Sequence, residues 1–499
     1  MSDLRSTLKK LDVNGYVMEA FRLIAQAQLT VDALLQLAID LYEAQCDATA
    51  LLVVNNLSKN GLDHWAIDAL QSHIGVLAKL DDLSLAARLR LGRKLSELDA
   101  ESVAKCRMLL TSRLANDMTR LDAVADAGLI LRLLELAKLA TPVLENAFPG
   151  ATVPATQRMI EPAPNPRLLA MPEPPMPSAR CARNVVVAAH YHGPQDGFGP
   201  RLIQALTGYG WRAELCSFRT TELVADLAAV RDLCLETKVD LLVMAESGAD
   251  EGLKQRSSLL AELRARRPDL VIVLYFSDPW CRRRWPWLRA AAAMADWVWA
   301  PFPSVELWRQ GGFEHKPLHF PLPLGRPRPL PAANGAMRLS FTGTIYTLAW
   351  MRKLWLAASR DAGINLHHSV PSAQEAGLSA LDSYDQYLTR LAGTGASVNL
   401  TMRIDGTRTL VGRSFEIPWA GALLVEEHND DIEYYFTPGE HMLTFSTLPE
   451  LMAISDLIRD RPELVDTIRR RGHAFATERY SDTRIIGALD LALWPDGRA

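Results

Sequence analysis

A proline-dense stretch divides this chain into two parts with different local patterning. Between Pro149 and Pro177 stand Pro154, Pro162, Pro164, Pro166, Pro172, Pro174 and Pro175. Proline fixes φ and brings no N–H, so such a stretch is expected to run extended and bury little. It reads as a linker over 146–182. A chain starting near Arg180 is expected to fold by itself. Ahead of the break, proline is absent until Pro142. Apolar residues there recur at helical spacing, as in Val31, Leu34, Leu35, Ala38 and Leu41, and again in Ala66, Ala69, Leu70, Ile74 and Leu77. Thr30 and Asp63 stand where N-caps belong. About seven helices of roughly 12–16 residues, paired as antiparallel hairpins, are expected over 1–145. No repeat of fixed period is present, so this is a solenoid- or bundle-like helical domain for docking or oligomerisation.

Beyond the break the pattern alternates. Asn184–Ala189 (NVVVAA) is a β-branched apolar run, as in a strand covered on both faces. Further runs at Ala213–Phe218, Leu241–Ala245, Leu270–Phe276 and Trp297–Ala300 alternate with helical stretches. A second proline-rich stretch, Pro317–Pro331, interrupts them. Strands are then expected at Met337–Phe341, Ile364–His368, Val398–Leu400 and Ala422–Val425, with a helix at Thr409–Trp419. Helices at Leu448–Arg459, Pro462–Glu478 and Asp482–Leu493 close the chain. The expected fold is α/β: two Rossmann-like domains, 183–325 and 336–480, preceded by the all-α domain and followed by a C-terminal helix and tail, 481–499. Ligands of open parallel sheets lie outside the carboxyl ends of the strands, here in the cleft between the halves.

Composition excludes several classes. The net charge of −4 over 499 residues argues against a nucleic-acid-binding surface. The six cysteines are scattered without Cys-x-x-Cys spacing, so neither a zinc ribbon nor a dithiol redox site is signalled. They read as reduced thiols of a cytoplasmic protein. No run of about 18 uncharged apolar residues suggests a transmembrane segment, and Met1–Lys10 lacks an apolar signal core.

Residues able to carry chemistry follow strands. After the first comes His190-Tyr-His-Gly-Pro-Gln-Asp-Gly-Phe-Gly199. His192 or Asp196 would serve as acid/base or equally hold the loop, and no third ligand joins His190 and His192, so no metal is expected. Asp278, in Phe276-Ser-Asp-Pro-Trp280, is placed as an N-cap ahead of Pro279 or as an acid/base. Arg282, Arg283 and Arg284, among Trp280, Trp285 and Trp287, form a solvated face, a grip on an anionic acceptor, or a basic, aromatic-rich helix that lies on a membrane surface or docks a partner. Phe341-Thr-Gly-Thr344 is a strand–Gly turn ahead of a helix bearing Arg352 and Lys353, which suits a diphosphate. Arg413 and Glu416 are three apart and share a helix face in an apolar segment, where a charged pair needs a partner.

Arg413-x-x-Glu416, Ala420-Gly421, Phe436-x-Pro-Gly-Glu440 and the Glu450-Leu451 helix together resemble the C-terminal signature of GT-B glycosyltransferases, nearest the CgeB-like branch of group 1. Phe341-Thr-Gly-Thr344, Tyr275-Phe-Ser-Asp-Pro279 and Ala295-Asp-Trp-Val-Trp-Ala300 are similar to other parts of that family, so the resemblance covers about 184–495. It implies that Glu416 binds the ribose of a nucleotide sugar, that Arg352 and Arg413 hold its diphosphate, and that Gly343, Thr344 and Gly421 shape the pocket. His192, Asp196 or Asp278 would activate the acceptor hydroxyl. No metal or other cofactor is implied, the nucleotide sugar being a substrate. Many retaining members carry a Glu eight positions before Glu416, where this chain has Arg408.

The expected function is a metal-independent glycosyltransferase moving a sugar from a nucleotide sugar to an acceptor. The acceptor, a glycan or a protein such as a surface or flagellar protein, would be docked partly by the helical domain. A homo-oligomer is compatible with that domain. The alternative is a non-catalytic interaction scaffold with a degenerate GT-B part.

Overall fold

The computed structural model describes residues 2–123, 125–149, 157–175, 182–190, 198–218, 223–236, 238–246, 251–276, 285–303, 317–330, 337–343, 350–364, 366–369, 384–402 and 408–495. The first 147 residues hold nine helices among those described: α1 (Ser2–Val13), α2 (Val17–Gln26), α3 (Val31–Glu43), α4 (Asp47–Lys59), α5 (Trp65–Leu77), α6 (Asp81–Leu95), α7 (Ala100–Arg120), α8 (Ala127–Ala140) and α9 (Val143–Ala147). That is more than the spacing predicts: α2 is amphipathic but only ten residues long, and α9, at five residues, is too short to show a period. Thr30 caps α3 by accepting the Ala33 N–H at 3.3 Å. Asp63 does not cap α5. Its neighbour His64 does, with Nδ1 accepting the Ala66 N–H at 3.1 Å, while Asp63 pairs with Lys94. A long basic side chain within reach outbids the backbone for an exposed carboxylate.

The proline-dense stretch is a strap, not a free linker. A single helical turn, α10 (Gln157–Ile160), sets Met159 and Ile160 against an apolar core shared with the second sheet. Asn165 Nδ2 donates to the carbonyls of Glu433 (2.6 Å) and Phe436 (3.2 Å). The Leu169 N–H donates to the Tyr434 carbonyl at 2.9 Å, and Arg479 donates to the Leu169 carbonyl. Proline removes its own donor but leaves every carbonyl and the side chains and N–H groups of the residues between, and these are what dock.

The first α/β domain contains β1 (Asn184–His190), α11 (Phe198–Tyr209), β2 (Arg212–Phe218), α12 (Leu223–Glu236), β3 (Leu241–Glu246), α13 (Glu251–Arg266), β4 (Val271–Phe276), α14 (Trp285–Ala292), β5 (Trp297–Trp299) and β6 (Pro317–Leu318). Its sheet is parallel, in the order β2-β1-β3-β4-β5-β6. Val185–Ala189 is buried throughout, as a strand covered on both faces must be.

The second contains β7 (Arg338–Thr342), α15 (Trp350–Asp361), β8 (His367–Ser369), α16 (Tyr384–Gly393), β9 (Gly395–Asn399), α17 (Arg413–Trp419), β10 (Leu423–Glu427), β11 (Leu443–Phe445), α18 (Leu448–Asp460) and α19 (Pro462–Arg479). Its parallel order is β11-β10-β9-β7-β8. These are the two Rossmann-like domains expected. The last helix, α20 (Asp482–Leu493), returns to the first domain. There Tyr209 Oη donates to Asp490 at 3.2 Å, and Trp494 meets Trp211 edge to face at 5.7 Å and lies under Arg183 at 4.1 Å.

Helices α5–α9 and the second sheet share one core, while α1–α4 pack on α5 and α7 in a core of their own. The Trp355 ring lies 4.6 Å from Phe148 and 5.3 Å from Phe445. Leu133, Leu134, Ala137 and Leu144 join Trp350, Met351 and Leu354 in the same cluster. Lys353, 5% exposed, donates to the carbonyls of Met118, Thr119 (3.2 Å) and Leu121 (2.6 Å) at the end of α7. A chain beginning at Arg180 would bare all of this. We predict that it is insoluble or binds hydrophobic dyes, and that the full chain loses its helical domain and second sheet in one thermal transition. A soluble, dye-silent truncated chain would contradict the shared core.

Candidate functional site

The second domain gathers its polar residues at the carboxyl edge of β7, β9 and β10. Helix α17 lies there because Arg413–Trp419 is apolar apart from its first turn, and it ends in a paired turn. Gly421, at φ +83°, donates to the Pro418 carbonyl (3.0 Å), and Ala422 donates to Ile417 (3.1 Å). Only glycine adopts that φ cheaply, so Gly421 closes the helix, and its own carbonyl accepts from Arg469 at 2.8 Å.

Arg413 points back over the strand ends. Its Nε donates to Asn399 Oδ1 at 3.1 Å and its Nη1 to the Thr342 carbonyl at 3.0 Å. Its guanidinium carbon stands 5.5 Å from the centre of the Phe341 ring, and that of Arg352 stands 5.9 Å from the same centre. A Cβ at Gly343 would overlap the Arg413 guanidinium, so the strand–Gly turn exists to admit this arginine. Arg413, Arg352 and Gly343 are thus brought together. Thr344, His192, Asp196 and Asp278 lie outside the described residues.

Behind Arg413 is a buried carboxylate that sequence reading missed. Glu426, at 0% exposure, accepts from Asn399 Nδ2 (2.8 Å), Ser414 Oγ (2.9 Å) and Asn429 Nδ2 (3.0 Å). Because the Asn399 amide is spent on Glu426, its oxygen must face Arg413. Burial pushes the Glu426 carboxyl up to about 8 against the pull of those three donors. The signal available in the sequence was Glu426-Glu427 at the end of an apolar run, charged residues at the carboxyl end of a buried strand.

Glu416 does not pair with Arg413. One turn further along α17 it is 9% exposed, accepting from Tyr387 Oη at 2.8 Å and Tyr384 Oη at 3.4 Å, with Arg201 Nη1 of the first domain at 3.4 Å. Burial and this carboxylate push the Tyr387 phenol well up. None of Arg201, Tyr384 or Tyr387 was marked by a local motif. Arg408 meets Glu427 at 3.5 Å and donates to the Ser446 carbonyl at 3.2 Å. Among the described residues no group of three or more His, Cys, Asp or Glu is placed to hold a metal, and no helix is long and apolar enough to cross a membrane.

Residues 349–489, which include α15, α17 and β10, match the family model described as glycosyl transferase-like. The chain is similar over 62% of its length to Anabaena HepE in complex with UDP and glucose, at 12% identity and covering 99% of that chain, TM-score 0.45. It is similar to a mutant Thermobaculum terrenum O-GlcNAc transferase, at 14% over 94% and 98%, TM-score 0.41. It is also similar to sucrose-phosphate synthase from Thermosynechococcus elongatus, at 11% over 63% and 100%, TM-score 0.45. No curated protein matches the chain.

The raised Glu426 carboxyl makes stability depend on pH. In the unfolded chain it releases its proton near 4.5, in the folded chain near 8. The folded state therefore holds the extra proton between those values. Its contribution is full below about pH 4.5 and is lost as pH rises to 8, by at most about 1.4 kcal/mol per pH unit. Glu426→Gln should flatten that decline in denaturant titrations at pH 5, 6, 7 and 8. An identical slope in the variant would assign the proton elsewhere.

Proposed function

We propose that the chain is a glycosyltransferase that takes its sugar from a nucleotide sugar and needs no metal. The observation that carries this reading is Arg413. It is locked by Asn399 and Thr342 at the carboxyl edge of the sheet, with Glu416 one turn away, inside the glycosyl transferase-like segment. Arg413 and Arg352 offer planar, always-charged donors for the two phosphates, and Glu416 accepts from ribose hydroxyls. In the transfer, the bond between the anomeric carbon and the diphosphate oxygen breaks. The two guanidinium groups take up the charge left on the nucleoside diphosphate. The acceptor oxygen bonds the anomeric carbon and its proton passes to a base of the first domain, for which His192, Asp196 and Asp278 are the candidates.

The acceptor side of the reading rests on the helical domain. It is welded to the donor-binding half, so a macromolecular acceptor such as a protein held on those helices is presented at a set distance from the donor. The reduced cysteines Cys46, Cys106, Cys216 and Cys234 fit a cytoplasmic enzyme.

A thermal-shift screen of the full chain against UDP, GDP, CMP and dTDP sugars tests the donor, since a ligand of the folded state raises its midpoint. One class should do so, and its hydrolysis should be measurable. Glu416→Ala should weaken nucleoside and nucleoside diphosphate alike, by about 1.5–3 kcal/mol for a lost charged hydrogen bond. Arg413→Lys should weaken only the diphosphate form. A chain that neither binds nor hydrolyses any of them is the interaction scaffold instead.

A further inference from the structure

The proposed ribose ligand has a cation from the wrong half of the molecule. Arg201 stands in the first turn of α11, in the first domain, and reaches across to Glu416. Its guanidinium carbon lies 4.2 Å from the centre of the Tyr384 ring, so Tyr384 is the platform that holds it in the cleft. The contact with Glu416 is long, 3.4 Å, whereas Tyr387 holds the other carboxylate oxygen at 2.8 Å. Arg201 Nε is buried and has no hydrogen-bond partner among the described residues. A cation in the first turn of a helix also opposes the helix dipole, which favours an anion there. Arg201 is thus a largely buried, charged fork, its side chain 17% exposed, held by Tyr384 and by one long contact to Glu416 with its Nε donor unspent, beside the carboxylate that a nucleotide would occupy.

We propose that Arg201 is a diphosphate ligand supplied by the first domain, and that donor binding exchanges its partner. Without donor, Arg201 neutralises Glu416. When the nucleotide enters, ribose hydroxyls take Glu416 Oε1, and the Arg201 Nε and Nη1 donors turn to phosphate oxygens. No charge is created or buried alone at any stage, because the carboxylate gains hydroxyl donors as the guanidinium gains an anion. The exchange lets the first domain register that the nucleotide is diphosphorylated. A nucleoside takes Glu416 from Arg201 and gives nothing back. This inference rests on the donor-site reading above and adds a residue to it.

The exchange predicts opposite signs for two ligands. Arg201→Met keeps the length and the apolar stem over Tyr384 but removes both the competitor for Glu416 and the phosphate contact. In calorimetry on the full chain with UDP and uridine, GDP and guanosine, and dTDP and thymidine, the pair that binds wild type is carried forward. Arg201→Met should weaken the nucleoside diphosphate by about ten- to a hundredfold, the loss of a charged hydrogen bond. It should leave the nucleoside equal or tighter. Arg201→Lys, which keeps the charge without the planar fork, should fall between and covers the case in which Arg201→Met misfolds, checked by its thermal midpoint. Equal weakening of both ligands would make Arg201 a structural residue. No change in either would remove it from the site while the donor reading stands. If wild type binds none of the pairs, the donor reading falls and this inference falls with it.

Discussion

Helix α15 carries the constraint on which the arrangement depends, because its sides answer to different parts of the chain. Trp350, Leu354 and Trp355 are buried in the core that also contains Leu133, Ala137 and Phe148 of the helical domain. Lys353 is buried with them, which would be costly for an ammonium unless its donors were satisfied. They are, by three carbonyls at the end of α7, where the backbone leaves acceptors unpaired and the helix dipole favours a cation. Burial lowers the pKa of this lysine without removing its partners. Arg352, the next residue back, lies instead beside Phe341. One helix therefore ties the placement of a proposed phosphate ligand to the packing of a domain that a proline-rich stretch separates from it in sequence.

The consecutive acids of β10 show how alternation along a strand sorts charge. Glu426 turns to Asn399, Ser414 and Asn429, and so to Arg413. Glu427 turns to the opposite face, where the N–H groups of Thr401 (2.6 Å) and Met402 (2.8 Å) donate to it and Arg408 stands at 3.5 Å. Burial raises its pKa, and Arg408 opposes that. The arginine that stands where the resembled family often has a Glu thus has its own counter-ion in this chain. A Glu at 408 would face Glu427 with no cation between them. The departure at 408 and the acid at 427 belong together.

The fold was legible where burial on both faces leaves a mark in one dimension. Val185–Ala189 and Leu423–Val425 read as strands because a covered parallel strand is apolar without alternation. The strap was not legible, since its docking uses the carbonyls of Glu433, Tyr434 and Phe436, and a carbonyl belongs to every residue. Arg413 and Glu416 could be named from a motif because they lie on one helix turn. Asn399, Glu426, Asn429 and Arg201 could not, because two strand ends and a helix of the other domain carry them. Asp63 illustrates the local limit: an N-cap pattern is overruled by one lysine that arrives from α6.

The contacts that join the first α/β domain to the second and to the C-terminal helix differ in kind, and the difference bears on what a ligand can change. Tyr435 Oη donates to the His319 carbonyl at 3.2 Å, Trp419 Nε1 to Arg326 at 3.3 Å, and the Gly325 N–H to Asp482 at 3.2 Å. The last residue sits deep enough that burial pushes its carboxyl up to about 6. With the aromatic packing of Trp494 on Trp211, these contacts use backbone groups and rings that a sugar nucleotide has no means of replacing. The Arg201–Glu416 contact uses a cation and an anion, and a nucleoside diphosphate carries phosphates for the one and hydroxyls for the other. Contacts of the first sort offer a nucleotide nothing to exchange. The charged contact is one that ligand can take apart without leaving a buried charge behind, so it is where a signal between the halves belongs.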